Sequence, residues 1–331
     1  MQRYSVVSLL LLSFHFSFAQ PTPRASAQLF YIRSTGSLVL FDGYEKGTMP
    51  SSGKAETWAW KNNSWKKTDE TDQPLRSLSG AVYLKDKDRI FVFGGVGSNG
   101  YDDSLKQAWL YDGSAWSRVP EPPIGTRDHH EMAYDENNKT IVVYGGQTGN
   151  RQFDSRTWIF KNDQWTALDI PGPGPRVHHA MVYDPERKKI VLFGGSGAGR
   201  SYNETWEFDG TQWKKIEVTV NPGLRSHHCM VYDPSRKKVL LYGGDIGMET
   251  QGDLWTWDGN KWERLSNNGP SRLLAAAAFD PSDNKLYVFG GNGGEHAMLI
   301  YSDLWEWDGR NWKRVDKGSV YEWDNGKDRY A

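Results

Sequence analysis

Short apolar runs alternate with turn-forming pairs along most of the chain, and residues 176–216 show the pattern most clearly. Val182 and the run 190–193 are β-branched or bulky apolar residues, which are typical of strands. Asp209 and Gly210 separate two tryptophan-containing runs, and this dipeptide suits a tight hairpin because it tolerates positive φ angles. The segment therefore predicts four short antiparallel strands, and no helical period competes with that prediction.

The four-strand unit recurs six times along the chain. Each copy has a glycine after its second strand, at a spacing of roughly 50 residues, and these glycines are Gly43, Gly95, Gly146, Gly195, Gly244 and Gly291. Each copy also has two tryptophans seven positions apart, namely Trp58 and Trp65, Trp109 and Trp116, Trp158 and Trp165, Trp206 and Trp213, Trp255 and Trp262, Trp305 and Trp312. A four-strand repeat of this length predicts a six-bladed β-propeller.

The repeats span about 24–69, 76–119, 127–168, 176–217, 225–265 and 272–315. In the first copy Asp42 stands where the later copies have the first glycine of a pair. This copy aligns back to Arg24, so we expect the N-terminal segment to supply its own innermost strand and the ring to close without an exchanged strand. A second possibility is that residues 320–324 of the C-terminal tail form an extra strand that latches the first blade.

The paired glycines and the spaced tryptophans resemble the repeats of the kelch family, over about residues 24–315. The resemblance implies an all-β, six-bladed kelch-type propeller with four antiparallel strands per blade. It implies little about function, because kelch propellers serve as enzymes, adaptors and ligand binders alike.

The N-terminus has the pattern of a secretory signal peptide. Arg3 precedes an apolar run over 6–18, and small residues follow it. The run is too short to favour a membrane span, so we expect cleavage after Ala19, with a buried N-terminal strand as the alternative. The mature chain, residues 20–331, would then be a single secreted or periplasmic propeller domain without a membrane span.

Composition excludes several classes of site. The formal net charge of −1 gives no argument for a nucleic acid or an anionic membrane as partner. Cys229 is the only cysteine, which excludes an intrachain disulfide and a multi-cysteine zinc site. Glycosylation sequons occur at Asn62, Asn138 and Asn203, and these matter only in a eukaryotic source. The lack of disulfides behind a signal peptide is more typical of bacterial export, and we expect a monomer without a cofactor.

Alternating strand directions assign the loops to two rims. With the strands of a blade labelled A to D from the channel outward, the B–C and D–A loops share one rim, and the tight A–B and C–D turns share the other. We call these the long-loop rim and the tight-turn rim. The long B–C loops are 96–106, 147–155, 196–203, 245–252 and 292–302. We expect ligands on the long-loop rim, since binding groups favour irregular loops on a rigid scaffold, and little beyond hairpin chemistry on the tight-turn rim.

Each A strand begins with an arginine on the long-loop rim, and these arginines are Arg24, Arg76, Arg127, Arg176, Arg225 and Arg272. A ring of guanidinium groups suits an anionic ligand. The alternative is ion pairing inside each blade, because acids precede the first tryptophan by two positions at Glu56, Glu204, Asp253 and Asp303. Gln107 and Arg156 break that pattern and leave Arg76 and Arg127 as the most available, although Asp128 and Asp154 lie near enough in sequence to pair with them.

Three consecutive blades carry histidine pairs. The second members, His130, His179 and His228, resemble ordinary kelch residues and are predicted to be packed and hydrogen bonded within the blade walls. The first members, His129, His178 and His227, alternate to the other face of the strand and are candidate ligand contacts together with Arg76, Arg127, Arg176, Arg225 and Arg272. We predict no metal site, because the histidines match no known ligand spacing.

Three kinds of catalytic chemistry find no support. Galactose oxidase is a similar secreted kelch propeller, but its copper site needs a tyrosine-linked cysteine and a Tyr-His pair, and no Tyr-His dipeptide occurs here. No nucleophile elbow is present. The glycine-rich segment 194–199 precedes a strand and not the helix that a phosphate loop requires.

The sequence thus predicts an exported binding module that recognises a protein or glycan through the long-loop rim. The alternative is an enzyme that resembles the exported kelch N-acetylneuraminate epimerases, which act on an acidic sugar. There, His178 or Glu204 would move a proton while an arginine holds the sugar carboxylate.

Overall fold

The computed structural model describes residues 20–45, 54–97, 103–247, 249–294, 298–324 and 327–330. The predicted signal segment 1–19 lies outside these residues. The described chain is built almost wholly of β-strands, with one short 3-10 helix at Asp103–Lys106. Among these residues no helix has the length and apolar character that a membrane span requires.

Thirty-four strands follow one another along the described part of the chain. Blade 1 contains β1 (Arg24–Ala25), β2 (Gln28–Ile32), β3 (Ser37–Phe41), β4 (Tyr44–Glu45), β5 (Lys54–Lys61) and β6 (Ser64–Pro74). Blade 2 contains β7 (Gly80–Leu84), β8 (Arg89–Phe93), β9 (Ala108–Tyr111) and β10 (Trp116–Val119). Blade 3 contains β11 (Arg127–Asp128), β12 (Glu131–Asp135), β13 (Thr140–Tyr144), β14 (Gln147–Thr148), β15 (Thr157–Lys161) and β16 (Gln164–Leu168).

The second half continues the pattern. Blade 4 contains β17 (Ala180–Asp184), β18 (Lys189–Phe193), β19 (Ser196–Gly197), β20 (Arg200–Ser201), β21 (Thr205–Phe208) and β22 (Trp213–Ile216). Blade 5 contains β23 (Cys229–Asp233), β24 (Lys238–Tyr242), β25 (Asp245–Ile246), β26 (Glu249–Thr250), β27 (Leu254–Trp257) and β28 (Trp262–Ser266). Blade 6 contains β29 (Ala276–Asp280), β30 (Lys285–Gly293), β31 (Leu299–Trp307) and β32 (Trp312–Asp316), and the tail adds β33 (Val320–Asp324) and β34 (Lys327–Tyr330).

Six antiparallel four-strand sheets form the blades, with the orders β2-β3-β5-β6, β7-β8-β9-β10, β12-β13-β15-β16, β17-β18-β21-β22, β23-β24-β27-β28 and β29-β30-β31-β32. The prediction of a six-bladed kelch-type propeller is therefore confirmed. The B strands are buried on both faces, as in β18, where residues 190–193 are at most 1% exposed. This double burial explains why B strands are runs of apolar residues and not alternating patterns.

Each pair of neighbouring blades shares one hydrophobic cluster, and the cluster between blades 6 and 1 closes the ring. In that cluster Leu29 and Trp65 of blade 1 pack with Phe289 and Leu304 of blade 6, and the rings of Trp65 and Phe289 are 5.5 Å apart. All four strands of blade 1 come from the N-terminal part of the chain. Closure thus rests on side-chain packing, without an exchanged strand, as expected.

A backbone hydrogen bond links successive blades at the glycine pairs. The second glycine of a pair donates its N–H to the carbonyl oxygen of the next blade's first arginine, over 2.9 Å from Gly43 to Arg76, 2.8 Å from Gly95 to Arg127, 2.9 Å from Gly146 to Arg176, 2.8 Å from Gly195 to Arg225 and 2.8 Å from Gly244 to Arg272. Both glycines of a pair have positive φ angles, 66° at Gly194 and 91° at Gly195. We call this contact the glycine–arginine link.

The second tryptophan of each pair makes a further contact between neighbouring blades. In blades 2, 4, 5 and 6 its indole Nε1–H donates to a hydroxyl of the preceding blade, for example from Trp213 to Thr157 over 2.9 Å and from Trp262 to Thr205 over 2.9 Å. A buried indole needs such a partner, so each bond fixes the orientation of one blade against the next.

The C-terminal tail pairs with blade 6. β33 lies antiparallel to the start of β31, with Ile300 opposite Tyr321. The hypothesis that the tail adds a strand to blade 1 is therefore wrong. β30 and β31 extend past the blade as a long hairpin, and the free edge of β31 accepts the tail. Tyr321 nevertheless packs in one cluster with Ala25 of blade 1.

Replacing Gly195 by alanine tests the glycine–arginine link. The new Cβ would lie 2.7 Å from the carbonyl oxygen of Val177, on a residue whose φ is 91°. We expect the free energy of unfolding to fall by about 3 kcal/mol, measured by guanidinium denaturation, because strain and a backbone clash add.

The matched control is Gly199→Ala. Gly199 also has a positive φ, 76°, but no atom lies within 4 Å of the position that its new Cβ would take. It should cost about 1 kcal/mol from backbone strain alone. Equal losses for the two variants would contradict the role given to the close packing at the link.

Candidate functional site

The six A strands enclose a central cavity of about 610 Å³. β2, β7, β12, β17, β23 and β29 each contribute part of its wall. The wall is mostly aliphatic, aromatic and methionine side chains, and a cavity of this size and character is typical of small-molecule sites. Its two ends differ in structure.

At the long-loop end the cavity is bounded by a ring of six equivalent residues, Ser26, Leu78, His129, His178, His227 and Leu274. All six have left-handed backbone conformations, with φ between 52° and 57°. Backbone N–H groups bond to carbonyl oxygens around this ring, from Ser26 to Leu274 (2.9 Å), His129 to Leu78 (3.0 Å), His227 to His178 (3.0 Å) and Leu274 to His227 (2.9 Å). Among the described residues, none that precedes the ring on its own strand lines the cavity. We call this ring the cavity floor.

The three floor histidines contact one another, with His129 edge-on to His178 and His178 tilted against His227. The ring centroids of His129 and His178 are 4.3 Å apart, and those of His178 and His227 are 3.8 Å apart. The outer two histidines bond through Nδ1 to carboxylates, His129 to Asp128 and His227 to Asp245 at 2.7 Å. Burial and the neighbouring histidines lower the pKa of the central His178 far below its ordinary value, so this ring is neutral at physiological pH.

The opposite end of the cavity reaches the tight-turn rim. Arg33, Lys85, Glu136 and Pro234, which belong to A–B turns, line this end. The expectation that tight turns carry hairpin chemistry and little else is therefore wrong, because these turns form the mouth of the cavity. The Nζ of Lys85 and a carboxylate oxygen of Glu136 are 2.9 Å apart, so these two charged groups at the mouth form an ion pair with each other.

Glu131 is the one carboxyl group that the described residues place in the wall between floor and mouth. Those residues offer it no hydrogen bond and no ion pair, and burial raises its pKa to about 8. Across the cavity lies the thiol of Cys229, whose pKa burial and the charge of Glu131 raise to about 12. Both groups are therefore predominantly neutral at pH 7 in the empty cavity.

The six arginines lie behind the floor, inside the blade walls. They are 0–7% exposed, and none of them lines the cavity. The Nη1 of the arginine bonds to the carbonyl oxygen of the first glycine of its own blade's pair, for example from Arg176 to Gly194 over 2.9 Å and from Arg225 to Gly243 over 2.9 Å. These side chains have no surface to offer a ligand in this structure.

Five arginines also meet a carboxylate of their own blade. The distances are 3.5 Å for Arg24–Glu56, 2.8 Å for Arg127–Asp154, 2.9 Å for Arg176–Glu204, 2.5 Å for Arg225–Asp253 and 3.0 Å for Arg272–Asp303. In blade 2, where Gln107 replaces the acid, Arg76 bonds to the carbonyl oxygens of Gly94 at 3.0 Å and Gln107 at 3.4 Å. The ion-pairing alternative weighed from the sequence thus describes the geometry of these blades.

The ion pairs lower the pKa of four of these acids. Burial opposes ionisation of Asp253, but the hydrogen bonds and charge of Arg225 outweigh it and hold the pKa of Asp253 below its ordinary value. A lowered folded-state pKa stabilises the fold above the unfolded-state pKa of about 4, and the stabilisation is lost as the pH falls further. The same direction applies to Glu56, Asp154 and Glu204.

The second histidines of the pairs pack inside the walls, as predicted, but the predicted hydrogen bonds are wrong, since their ring nitrogens have no hydrogen-bond partner among the described residues. His130, His179 and His228 are 1%, 2% and 7% exposed. Burial and the adjacent arginine lower the pKa of each, so all three imidazole rings are uncharged near neutral pH and pack as core side chains. Their rings lie against glycines of the preceding blade, and this contact is a second reason why a side chain is excluded at the first glycine of the pair.

The floor histidines do not form a metal centre. Within the described residues, no group of three or more histidine, cysteine or acidic side chains has the geometry to hold an ion. The Nδ1 atoms of the outer rings bond to carboxylates, and that of His178 lies 3.2 Å from the hydroxyl of Ser196.

The long-loop rim is built from ordered hairpins. β11 pairs with β14, β19 with β20 and β25 with β26. Five large apolar side chains are exposed among the described residues: Phe153 (40%), Val220 (56%), Leu224 (51%), Leu265 (37%) and Met298 (43%). All five lie in B–C loops, in the D–A loop between blades 4 and 5, or near the end of β28 that leads to this rim.

A family model for the KLHDC2/KLHL20/DRC7 Kelch-repeats domain matches residues 113–221 and 160–320. The two matches together cover more than half of the chain. This chain belongs to the kelch-repeat family. The kelch propeller is in general a protein-binding module. Among curated proteins, no sequence matches the chain.

Sequence reasoning about this kelch propeller missed Glu131. The signal was present in the repeat alignment, where Glu131 shares its register with Gln28, Gly80, Ala180, Cys229 and Ala276. An acid among small or neutral residues on an innermost strand has no repeat partner. Because it occurs once, a search for recurring residues passes over it.

Replacing Arg225 by methionine tests whether the arginines support the kelch fold. The change leaves Asp253 half-buried without its partner, and we expect the free energy of unfolding to fall by about 3–5 kcal/mol. Chemical denaturation would measure it, with Arg118→Met on the exposed face of β10 as the control that should change it by less than about 0.5 kcal/mol. Similar stability of both variants would restore these arginines as candidate ligand contacts.

The raised pKa of Glu131 predicts a pH effect of opposite sign to that of the ion pairs. Between the unfolded-state pKa of about 4.3 and the folded-state pKa of about 8, the native state binds the additional proton, so stability falls as the pH rises, by at most about 5 kcal/mol. Glu131→Gln should therefore be more stable than the wild type at pH 8 and similar to it at pH 5. Thermal melts across this range would show it, and Glu121→Gln at an exposed position should follow the wild-type curve throughout.

Proposed function

We propose that this protein is an exported kelch module that binds a protein partner through the long-loop rim. The observation that carries the proposal is the position of the exposed apolar side chains. All five large ones among the described residues belong to this rim or its edge, and the described part of the tight-turn rim has none as exposed. Exposed apolar groups on a rigid frame typically mark an interaction surface.

The loops that carry these residues come from successive blades. Phe153 lies between β14 and β15 in blade 3. Val220 and Leu224 lie in the loop from blade 4 to blade 5, which touches the next B–C loop, since Gly223 lies against Ile246. Met298 lies between β30 and β31. A partner seated over the floor from this side would meet several of these groups at once.

Exposed arginines supplement the apolar groups. Arg151, Arg156 and Arg200 are exposed on the same loops. The guanidinium of Arg156 lies 5.4 Å from the ring centre of Trp158, and that of Arg200 lies 4.9 Å from the ring of Tyr202. Arginines and aromatic residues are the side chains that dominate binding energy at protein interfaces. These arginines, and not the buried six, are the proposed contacts for acidic groups.

A protein partner accounts for the rim better than a glycan does. Four of the five exposed residues are aliphatic or methionine, whereas a sugar-binding surface needs exposed aromatic faces, and of these five only Phe153 supplies one. Nothing in the described site favours the epimerase alternative. Glu204 accepts hydrogen bonds from Arg176 and Trp206 at 2.9 and 3.1 Å, and His178 is held neutral between two other rings.

Export is the second part of the proposal and rests on the N-terminal segment 1–19, which has the pattern of a signal peptide. The mass of the protein recovered from the extracytoplasmic fraction tests it. We expect a chain that begins at Gln20, and a full-length chain retained in the cytoplasm would refute it.

Polar substitution on the rim tests the binding site. We expect the double variant Val220→Ser, Leu224→Ser to lose at least about tenfold in affinity for a partner captured by crosslinking from the extracytoplasmic fraction, because rim anchors contribute more than about 1 kcal/mol each. Its melting temperature should stay near that of the wild type, since both side chains are already exposed.

Ala115→Ser, in an exposed turn on the opposite rim, serves as the matched control and should capture the same partner at the wild-type level. Undiminished capture by the double variant would remove the rim from consideration. Loss of capture after glycosidase treatment of the fraction would assign the ligand as a glycan.

A further inference from the structure

We propose that the central cavity binds a small amphipathic amine, whose ammonium group pairs with Glu131 and whose hydrocarbon part lies against the apolar wall. This site is separate from the long-loop rim. The cavity floor lies between the two, and the cavity opens at the tight-turn rim.

The cavity has the size and lining of a site for a small apolar ligand. Its volume is about 610 Å³, within the usual range for such sites. Methionines occupy the same register on three consecutive inner strands, at Met132, Met181 and Met230, where they pack in the clusters between blades and give the wall a flexible apolar backing. The remaining wall between floor and mouth is largely aliphatic and aromatic, with Leu29, Phe30 and Val231 among its members.

Most polar groups at the wall and floor are already used by the protein. The side-chain amide of Gln28 donates to the Ser79 carbonyl oxygen over 2.8 Å, and the Ser79 hydroxyl donates to Asp42 over 3.0 Å. The outer floor histidines are bonded to Asp128 and Asp245, as described above. Glu131 alone among the described acids of the wall has neither a hydrogen bond nor an ion pair. A buried carboxyl without a partner is costly, and a ligand that supplies the partner recovers that cost.

The ligand group that would complement the carboxyl of Glu131 is a positively charged one. The titratable groups that line the cavity around Glu131 are His129, His130 and Tyr134 on its own blade, Tyr83, His178, His179 and Tyr183 on the two neighbouring blades, and Tyr31, His227, His228, Cys229 and Tyr232 on blades 1 and 5. Burial keeps the pKa of His130, His178, His179 and His228 below neutrality, so none of these four provides a cation, and His129 and His227 are bonded to Asp128 and Asp245. The fully described strand β29 contributes no titratable group to the wall. A ligand ammonium is therefore the group that complements this wall.

The mouth admits such a ligand. Lys85 is paired with Glu136, and the guanidinium of Arg33 donates to the carbonyl oxygen of Lys85, so the basic groups there are engaged by the protein. The cavity lining contains no described residue that precedes the floor ring on its strand, so entry is from the tight-turn side.

Protonation provides a signature of the proposed pair. In the empty cavity at pH 7 the carboxyl of Glu131 is mostly protonated, because burial raises its pKa. An ammonium beside it favours the carboxylate, so binding should release close to one proton at this pH, roughly as linkage requires. A neutral ligand of the same shape should release none.

The probes are 1-naphthylmethylamine and its neutral counterpart 1-naphthalenemethanol, with binding measured by isothermal titration calorimetry at pH 7 in two buffers of different ionisation enthalpy. We expect the amine to bind the wild type at least tenfold more tightly than the alcohol, with proton release for the amine alone. Glu131→Gln should abolish both differences while leaving the weaker affinity for the alcohol in place.

Glu121→Gln, at an exposed position outside the cavity lining, is the matched control and should keep the preference for the amine. The rim variant Val220→Ser, Leu224→Ser should also keep it, which separates a failure of this proposal from a failure of the rim proposal. Equal affinity of the wild type for amine and alcohol, absence of binding by either probe, or an unchanged amine preference in Glu131→Gln would each overturn the assignment.

Discussion

The glycine–arginine link is the contact on which the propeller depends. It joins backbone groups of successive blades, and it needs a residue with a positive φ and no Cβ on one side. On the other side it needs an arginine held at a fixed depth. In blades 3, 4 and 5 that depth is set by the bonds from the guanidinium to the first glycine of the same blade and to a carboxylate near its C strand. Arg127, Arg176 and Arg225 therefore each connect the glycine turn, an acid and the neighbouring blade in one network, whereas Arg76 bonds to the carbonyl oxygens of Gly94 and Gln107.

Blade 1 shows how the link tolerates a change. Asp42 takes the place of the first glycine and adopts a positive φ of 59°, a conformation that aspartate accepts more readily than most residues. Its carboxylate accepts a hydrogen bond from Ser79 of blade 2. The lost glycine is thus replaced by a side-chain contact across the same junction, and Gly43 still donates to Arg76.

The repeat period predicted the fold because each blade needs the same turn and interface residues. It predicted the acid partners of the arginines for the same reason, since Glu204 and Asp253 keep a constant spacing from their tryptophans. It could not predict how deep the arginines lie, because the guanidinium contacts that set this depth include carbonyl oxygens of the glycine turn, which come into reach only in the folded blade. The repeat alignment shows Glu131 as an acid without an equivalent in the other blades. Only the closed ring shows that no described side chain forms an ion pair or a hydrogen bond with it.

The floor is held by main-chain bonds, and its side chains are left out of that closure. Substitution at these six positions therefore keeps the main-chain bonds of the floor, provided the new residue accepts the left-handed backbone. The three adjoining imidazoles occupy one half of this base, and Ser26, Leu78 and Leu274 occupy the other. The chemistry at the base of the cavity can thus change while the backbone hydrogen bonds that join the blades there are retained.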